Sequence, residues 1–249
     1  MDLVNLQKSD GIATLILNRG KVNAINGDMV DQLKGHLQSL EVDREVKAII
    51  LTGSGKFFSF GFDIPEFLSF SREQFKDYLL NFTGLYTTLF RYPKPVVAAL
   101  NGHTIAGGCM LALACDQRVM VTGKARIALN EIGFGASLLA GATEMLRFAV
   151  GNYNATQVLY SGALYSAEDA LGLGLVHQVA SEVDLMDMAR QSAVEMGSKD
   201  LPAFTSIKNL LRGAIVEEMK RREDRSIDEF IDIWYSETTW ANLQDIRIY

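Results

Sequence analysis

The chain has 249 residues, 48% hydrophobic and 22% charged, which excludes a disordered or low-complexity protein and is enough for a sizeable core. A net charge of −6 argues against nucleic-acid binding, which needs a basic face. The one basic cluster, Lys220-Arg221-Arg222, is surrounded by Glu217, Glu218, Glu223 and Asp224 and reads as a solvated helix face.

From the N-terminus, Met-Asp leads directly into a strand pattern, with no signal or transit-peptide composition. Residues 12–17 (IATLIL) read as a buried strand after an Asp10-Gly11 turn. Met29, Val30, Leu33, Leu37 and Leu40 recur at helical spacing. Residues 46–52 form a second strand, closed by Gly53-Ser54-Gly55. An aromatic stretch at 57–64 is followed by a helix over 72–91 that stops before Pro93 and Pro95. Residues 96–100 (VVAAL) are a third strand, from which a loop runs into an apolar helix ending at Cys115. Asn101, Gly102, His103 and Gly107-Gly108 interrupt the apolar run 96–115, so it reads as core and not as a membrane span. Short strands follow at 118–121 and 126–129. Ser166, with Asp169 three residues on, marks a helix start, and from 182 onward the pattern is helical. This order predicts an α/β core with a helical C-terminal part.

Cys109 and Cys115 lie among Met, Leu and Ala and read as buried free thiols. The C-terminal Arg-Ile-Tyr is not a peroxisomal address, and the expected location is cytoplasmic. Common catalytic motifs are missing: Gly53-Ser54-Gly55-Lys56 lacks phosphate-loop spacing, and there is no HExxH or GxSxG. Of the three histidines, His36 falls in an amphipathic helix pattern, His177 reads as structural, and nothing places His103 in a triad.

Two glycine-centred segments remain, Phe60-Gly61-Phe62-Asp63-Ile64 and Asn101 to Met110 with Ala106-Gly107-Gly108 at its centre. Each sets backbone N–H groups in a tight turn near a helix start, and two such amides aimed at one point make an oxyanion hole. Taken singly, either segment also fits a turn without catalytic role.

Together with Asn23-Ala24-Ile25-Asn26, VKAIILTGSGKFFSFGFDI at 46–64, PKPVVAALNGHTIAGGCMLALACDQRV at 93–119, ALNEIGFG at 128–135 and the 160–176 region, these segments resemble the crotonase (enoyl-CoA hydratase/isomerase) family over residues 10–180. The resemblance implies a spiral of strand-strand-helix units over residues 1–195. It also implies a C-terminal helical oligomerisation region, 196–249, that builds a homotrimer or a dimer of trimers. It implies an acyl-CoA thioester substrate, no other cofactor, no metal and no membrane or nucleic-acid partner. The thioester oxygen would be held by the N–H groups of Phe62 and Gly107. Lys21, Val22, Ala24, Ser59, Phe60, Gly61, Asp63 and Ile64 would bind CoA, with Asp63 acting more as a structural cap than as a catalyst. Met110, Phe134 and Leu138 would line the acyl pocket.

Hydratases of the family use two glutamates. The second matches Glu131, but the first falls on Met110, whose thioether can be neither acid nor base. The pattern Ala-Gly-Gly-Cys-apolar followed by Leu-Asn-Glu is similar to Δ3,Δ2-enoyl-CoA isomerases, with Glu131 as sole proton carrier among apolar side chains that raise its pKa. Leu139 argues against dienoyl-CoA isomerases, which need an acid there, and no acid lies between Ile132 and Thr143 to serve a dehalogenase. A hydratase, another lyase or decarboxylase, and a non-enzymatic acyl-CoA- or RNA-binding relative are the alternatives. Trp234 and Trp240 read as core or trimer contacts.

Overall fold

The computed structural model describes residues 2–246. Strands β1 (Val4–Ser9) and β2 (Ile12–Leu17) form an antiparallel hairpin. Its turn residues Asp10 and Gly11 have φ of 48° and 77°, the left-handed pair that a tight hairpin requires. Helix α1 (Gly27–Val42) is capped by the Asn26 side chain and buries the five apolar residues that the helical spacing predicts. Then come β3 (Ala48–Gly53), β4 (Phe57–Ser59), the single turn α2 (Ile64–Phe67) and α3 (Arg72–Phe90), which a Ser71–Gln74 capping box opens. Strands β5 (Val96–Leu100) and β6 (His103–Ile105) lead to α4 (Gly107–Ala114). Strands β7 (Gln117–Val121) and β8 (Ile127–Ala128) lead through a 3-10 turn (Glu131–Phe134) to α5 (Ala140–Ser161). The chain continues through α6 (Ala167–Leu173), β9 (Gln178–Ala180), α7 (Leu185–Gly197), α8 (Leu201–Trp234) and α9 (Glu237–Gln244).

The larger sheet has the order β1-β2-β3-β5-β7-β9, parallel from β2 onward. A second, parallel sheet has the order β4-β6-β8. Each repeat gives one strand to the larger sheet, turns, gives the next strand to the smaller sheet and returns by a helix. The turns need glycine because the chain doubles back on itself: a Cβ on Gly102 would lie 2.0 Å from the Lys56 carbonyl oxygen, and one on Gly53 would lie 2.2 Å from that of Phe57. Asn101 ties the two turns together, its Oδ1 accepting from the Gly53 N–H at 2.9 Å and its Nδ2 donating to the Gly55 carbonyl at 3.0 Å.

The structure differs from the sequence reading in three places. Residues 103–105, expected as loop, form β6, a strand too short to show a period. Helix α5 gave no clear signal, since Gly141, Asn152 and Asn154 weaken its helical pattern and it kinks at Gly151 (φ 74°). The aromatic stretch 57–64 divides into β4, a turn and the start of α2.

Helix α8 packs on α3 and α5, and its Val216, Met219, Ile227, Phe230 and Trp234 join the same hydrophobic core as the sheet. Residues 196–246 therefore share one core with the spiral. A buried carboxylate clamps them there: Asp116 contacts Lys208 Nζ at 2.7 Å and Arg212 Nη2 at 3.2 Å, and also accepts from the Val96 N–H. The basic cluster on α8 is spent on acids, Lys220 on Glu217, Arg221 on Glu218 and Arg222 on Glu144. Both cysteines are buried and free. His177 accepts from the Arg118 N–H, and burial lowers its pKa to about 4. His36 contacts the Val4 carbonyl oxygen. Among the described residues no helix is long and apolar enough to cross a membrane. The C-terminal Arg-Ile-Tyr lies outside the described residues.

Candidate active site

The site is built where the two glycine segments meet. Gly61 has φ 96°, and a Cβ there would lie 2.9 Å from the Ile105 carbonyl oxygen and 3.1 Å from the Gly107 nitrogen. Only glycine lets the two backbones approach so closely. A Cβ on Gly107 would in turn press on the Phe62 ring at 3.0 Å, and one on Gly108 would meet the Ser59 carbonyl oxygen at 2.6 Å.

The orientation of the two amides follows from peptide planarity. In a trans peptide the C=O and N–H point in opposite directions. The Gly61 carbonyl accepts from the Ile25 N–H at 2.7 Å, so the Phe62 N–H of that same peptide points away from Ile25. The Ala106 carbonyl accepts from the Met110 N–H at 3.0 Å, which aims the Gly107 N–H outward from the start of α4. Among the described residues neither N–H has a protein acceptor. Ala106 itself is strained, with φ 49° and ψ −118° in a region that residues with a Cβ avoid. The Phe62 ring packs edge-on against Tyr78 and Phe82, with centroids at 5.2 and 4.9 Å, which anchors the turn from below.

A cavity of about 410 Å³ opens beside these amides, and Phe62, Ala106, Met110, Glu131, Phe134 and Trp234 are among its walls. Glu131 is the only ionisable side chain among the described residues that line it. The residue follows β8 at the head of the 3-10 turn, is 5% exposed, and neither carboxyl oxygen has a hydrogen-bond partner. Burial raises its pKa to about 8, its own backbone N–H offsetting only part of the rise. Met110 stands in the same wall as a buried apolar side chain.

The proposed pocket and CoA residues divide by place. Phe60, Ile64, Met110 and Phe134 line the cavity. Leu138 does not: it lines an adjoining cavity of about 320 Å³ whose walls Glu131 also joins, because the chain turns at Gly135 (φ 86°) and carries residue 138 past the site. Val22, Ala24, Ser59 and Gly61 are buried but are not among the cavity walls, while Lys21 is exposed. Ser59 Oγ donates to the Asn23 carbonyl and accepts from the Gly61 N–H. Asp63 caps α2 at the Glu66 N–H and pairs with Arg19 at 2.5 Å. Phe230 and Trp234 of α8 also line the cavity, so Trp234 is a core residue and a wall at once; Asn130 joins them. Their distance along the chain from residues 60–131 hid the two aromatic residues from sequence reading, whereas Asn130 stands within the Leu-Asn-Glu motif. Trp240 stacks on Tyr235, away from the cavity walls. Among the described residues no group of three or more His, Cys, Asp or Glu could hold a metal ion.

A spiral of strand-strand-helix repeats over two sheets, with one carboxyl in an apolar cavity beside two closely packed glycine turns, defines a protein of the crotonase fold. Residues 7–236 match the family model described as Enoyl-CoA hydratase/isomerase, and the chain belongs to that family. It is 34% identical over 197 residues to the short-chain-enoyl-CoA hydratase of Clostridium acetobutylicum, covering 78% of this chain and 75% of that one. It is 29% identical over 230 residues to the mitochondrial enoyl-CoA delta isomerase 1 of Mus musculus, covering 92% and 80%. The crystal structure of human mitochondrial delta3-delta2-enoyl-CoA isomerase superposes with a TM-score of 0.93 at 25% identity, covering 98% of this chain and 96% of that one.

Proposed function

We propose that this protein is an enoyl-CoA isomerase that moves a double bond from position 3 to position 2 of an acyl-CoA thioester. The Phe62 and Gly107 amides hold the thioester oxygen. Glu131, as carboxylate, takes a proton from C2. Negative charge then builds on the oxygen, where the preorganised amides stabilise it. The protonated Glu131 returns the proton at C4, and the pair of electrons shifts to leave the 2-enoyl product. Proton and charge balance without a second acid or a cofactor. CoA lies along Lys21, Val22, Ala24 and residues 59–64, and the acyl group lies against Met110, Phe134 and the α8 aromatics. The working assembly is a homotrimer or a dimer of trimers, and the cytoplasm is its place of action.

One observation supports this reading: among the described residues Glu131 is the lone ionisable wall of the cavity, and apolar Met110, which the resemblance matches to the other carboxylate of hydratases, stands in the same wall. The test is conversion of a 3-enoyl-CoA to the 2-enoyl form by wild type and Glu131→Gln. Loss of the sole proton carrier lowers kcat by about 10²–10⁴-fold, and unchanged turnover rejects the role. The hydratase names among the relatives favour a second reading, water addition to the double bond. Hydration of crotonyl-CoA at a rate matching isomerisation would establish it.

A further inference from the structure

The Gly61–Phe62–Asp63 turn has little structure of its own. It hangs on the neighbouring segment 22–25 through an isolated parallel bridge between Ile25 and Phe62. Three backbone bonds make the attachment: Ile25 N–H to the Gly61 carbonyl at 2.7 Å, Asp63 N–H to the Ile25 carbonyl at 3.1 Å, and Phe60 N–H to the Val22 carbonyl at 2.9 Å. The direction of the Phe62 N–H therefore depends on how well segment 22–25 stays in register with the turn.

Arg19 spans this junction. Its Nη1 donates to the Ala24 carbonyl at 3.2 Å on one side and meets Asp63 Oδ2 at 2.5 Å on the other. Its Nη2 donates to Glu66 Oε2 at 3.0 Å, at the first turn of α2. Its backbone closes the base of the loop: the Arg19 N–H donates to Asn23 Oδ1, and the Arg19 carbonyl accepts from the Asn23 N–H, both at 3.0 Å. One guanidinium thus ties the segment that fixes the Gly61 carbonyl to the residue directly after Phe62. It also places a positive charge against Asp63, the carboxylate nearest in sequence to the amide that would face the negative charge building on the thioester oxygen.

We infer that Arg19 is a positioning residue for the reaction, holding the Phe62 amide on the thioester oxygen and neutralising the Asp63 carboxylate beside it. The inference rests on the isomerase reading only for its rate assay, since an oxyanion hole can be tested separately. Acetoacetyl-CoA serves as the probe: bound as its enolate it absorbs in the near ultraviolet, and this requires the hole but no isomerisation.

Arg19→Ala, Arg19→Gln and Arg19→Lys are compared with wild type for kcat, KM, melting temperature and the enolate band. A displacement of ~1 Å at a reacting centre can cost about a hundredfold in rate. The expected result is at least a roughly tenfold lower kcat for Arg19→Ala and Arg19→Gln, KM within about threefold, and a weakened enolate band. Arg19→Lys, able to meet Asp63 but not all partners at once, recovers part of both signals. Adding Asp63→Asn to Arg19→Gln removes the exposed negative charge and recovers part of the band. A folded Arg19→Gln protein with an unchanged enolate band, or a loss confined to KM, overturns the inference. If Arg19→Ala does not fold, Arg19→Lys and Arg19→Gln decide. A wild type that enolises the probe without isomerising 3-enoyl-CoA refutes the isomerase reading and leaves the role of Arg19 to be read from the band.

Discussion

At the scale of single residues, Glu131 carries two opposed requirements. The proposed proton transfer needs its carboxylate, whereas burial favours the neutral acid and raises its pKa from 4.5 to about 8. As the base must be ionised, kcat/KM should climb about tenfold per pH unit below 8 and level off above it, as a pH–rate profile would show. Stability follows the reverse sign. A carboxyl whose folded pKa is raised contributes its stability fully below the unfolded value and loses it as pH rises through the folded value. Between pH 4.5 and 8 the fold should lose on the order of 5 kcal/mol from this group. Glu131→Gln should therefore be more stable than wild type at pH 9, with the gap closing toward pH 5. Urea melts at the two pH values check this, and a gap independent of pH would contradict it.

Among elements, the two turns that carry the amides show how strain and close approach serve the site. Ala106 occupies a backbone region suited to glycine. Ala106→Gly should relieve that strain and raise Tm by roughly 2–4 °C for about 1 kcal/mol gained, as measured by thermal melting. Gly61→Ala should do the opposite. Its Cβ meets the Ile105 carbonyl oxygen at 2.9 Å, and its φ of 96° disfavours any side chain. A loss of about 1–3 kcal/mol in a urea melt is expected, with activity falling beyond what the unfolded fraction explains. These turns were legible as glycine clusters before a helix. Strand β6 and helix α5 were not: a three-residue strand has no period to read, and the glycine and asparagine residues of α5 lower local helical preference that packing then overrides.

For the whole molecule, the decisive contact is the clamp of α8 onto the sheet. Asp116 holds Lys208 and Arg212 in a buried ion network, and burial lowers the pKa of both cations. Removing the shared anion strands two buried charges, so Asp116→Ala should cost about 3–5 kcal/mol, read from urea melts. Because α8 supplies Phe230 and Trp234 to the cavity wall, the same variant should also raise KM for acyl-CoA. The amino-acid sequence alone determined what neighbouring residues can encode: the helix cap at Ser166, the apolar face of α1, the glycines at 61 and 107, and the pairing of a glutamate at 131 with a methionine at 110. Those features rest on hydrogen bonds and side-chain periods that span a few residues. Only the tertiary structure decided that the two glycine turns press together, that Phe230 and Trp234 close the cavity while Leu138 falls outside it, and that Glu131 is left without a partner. Burial sums over residues distant in the chain, and no local pattern records that sum.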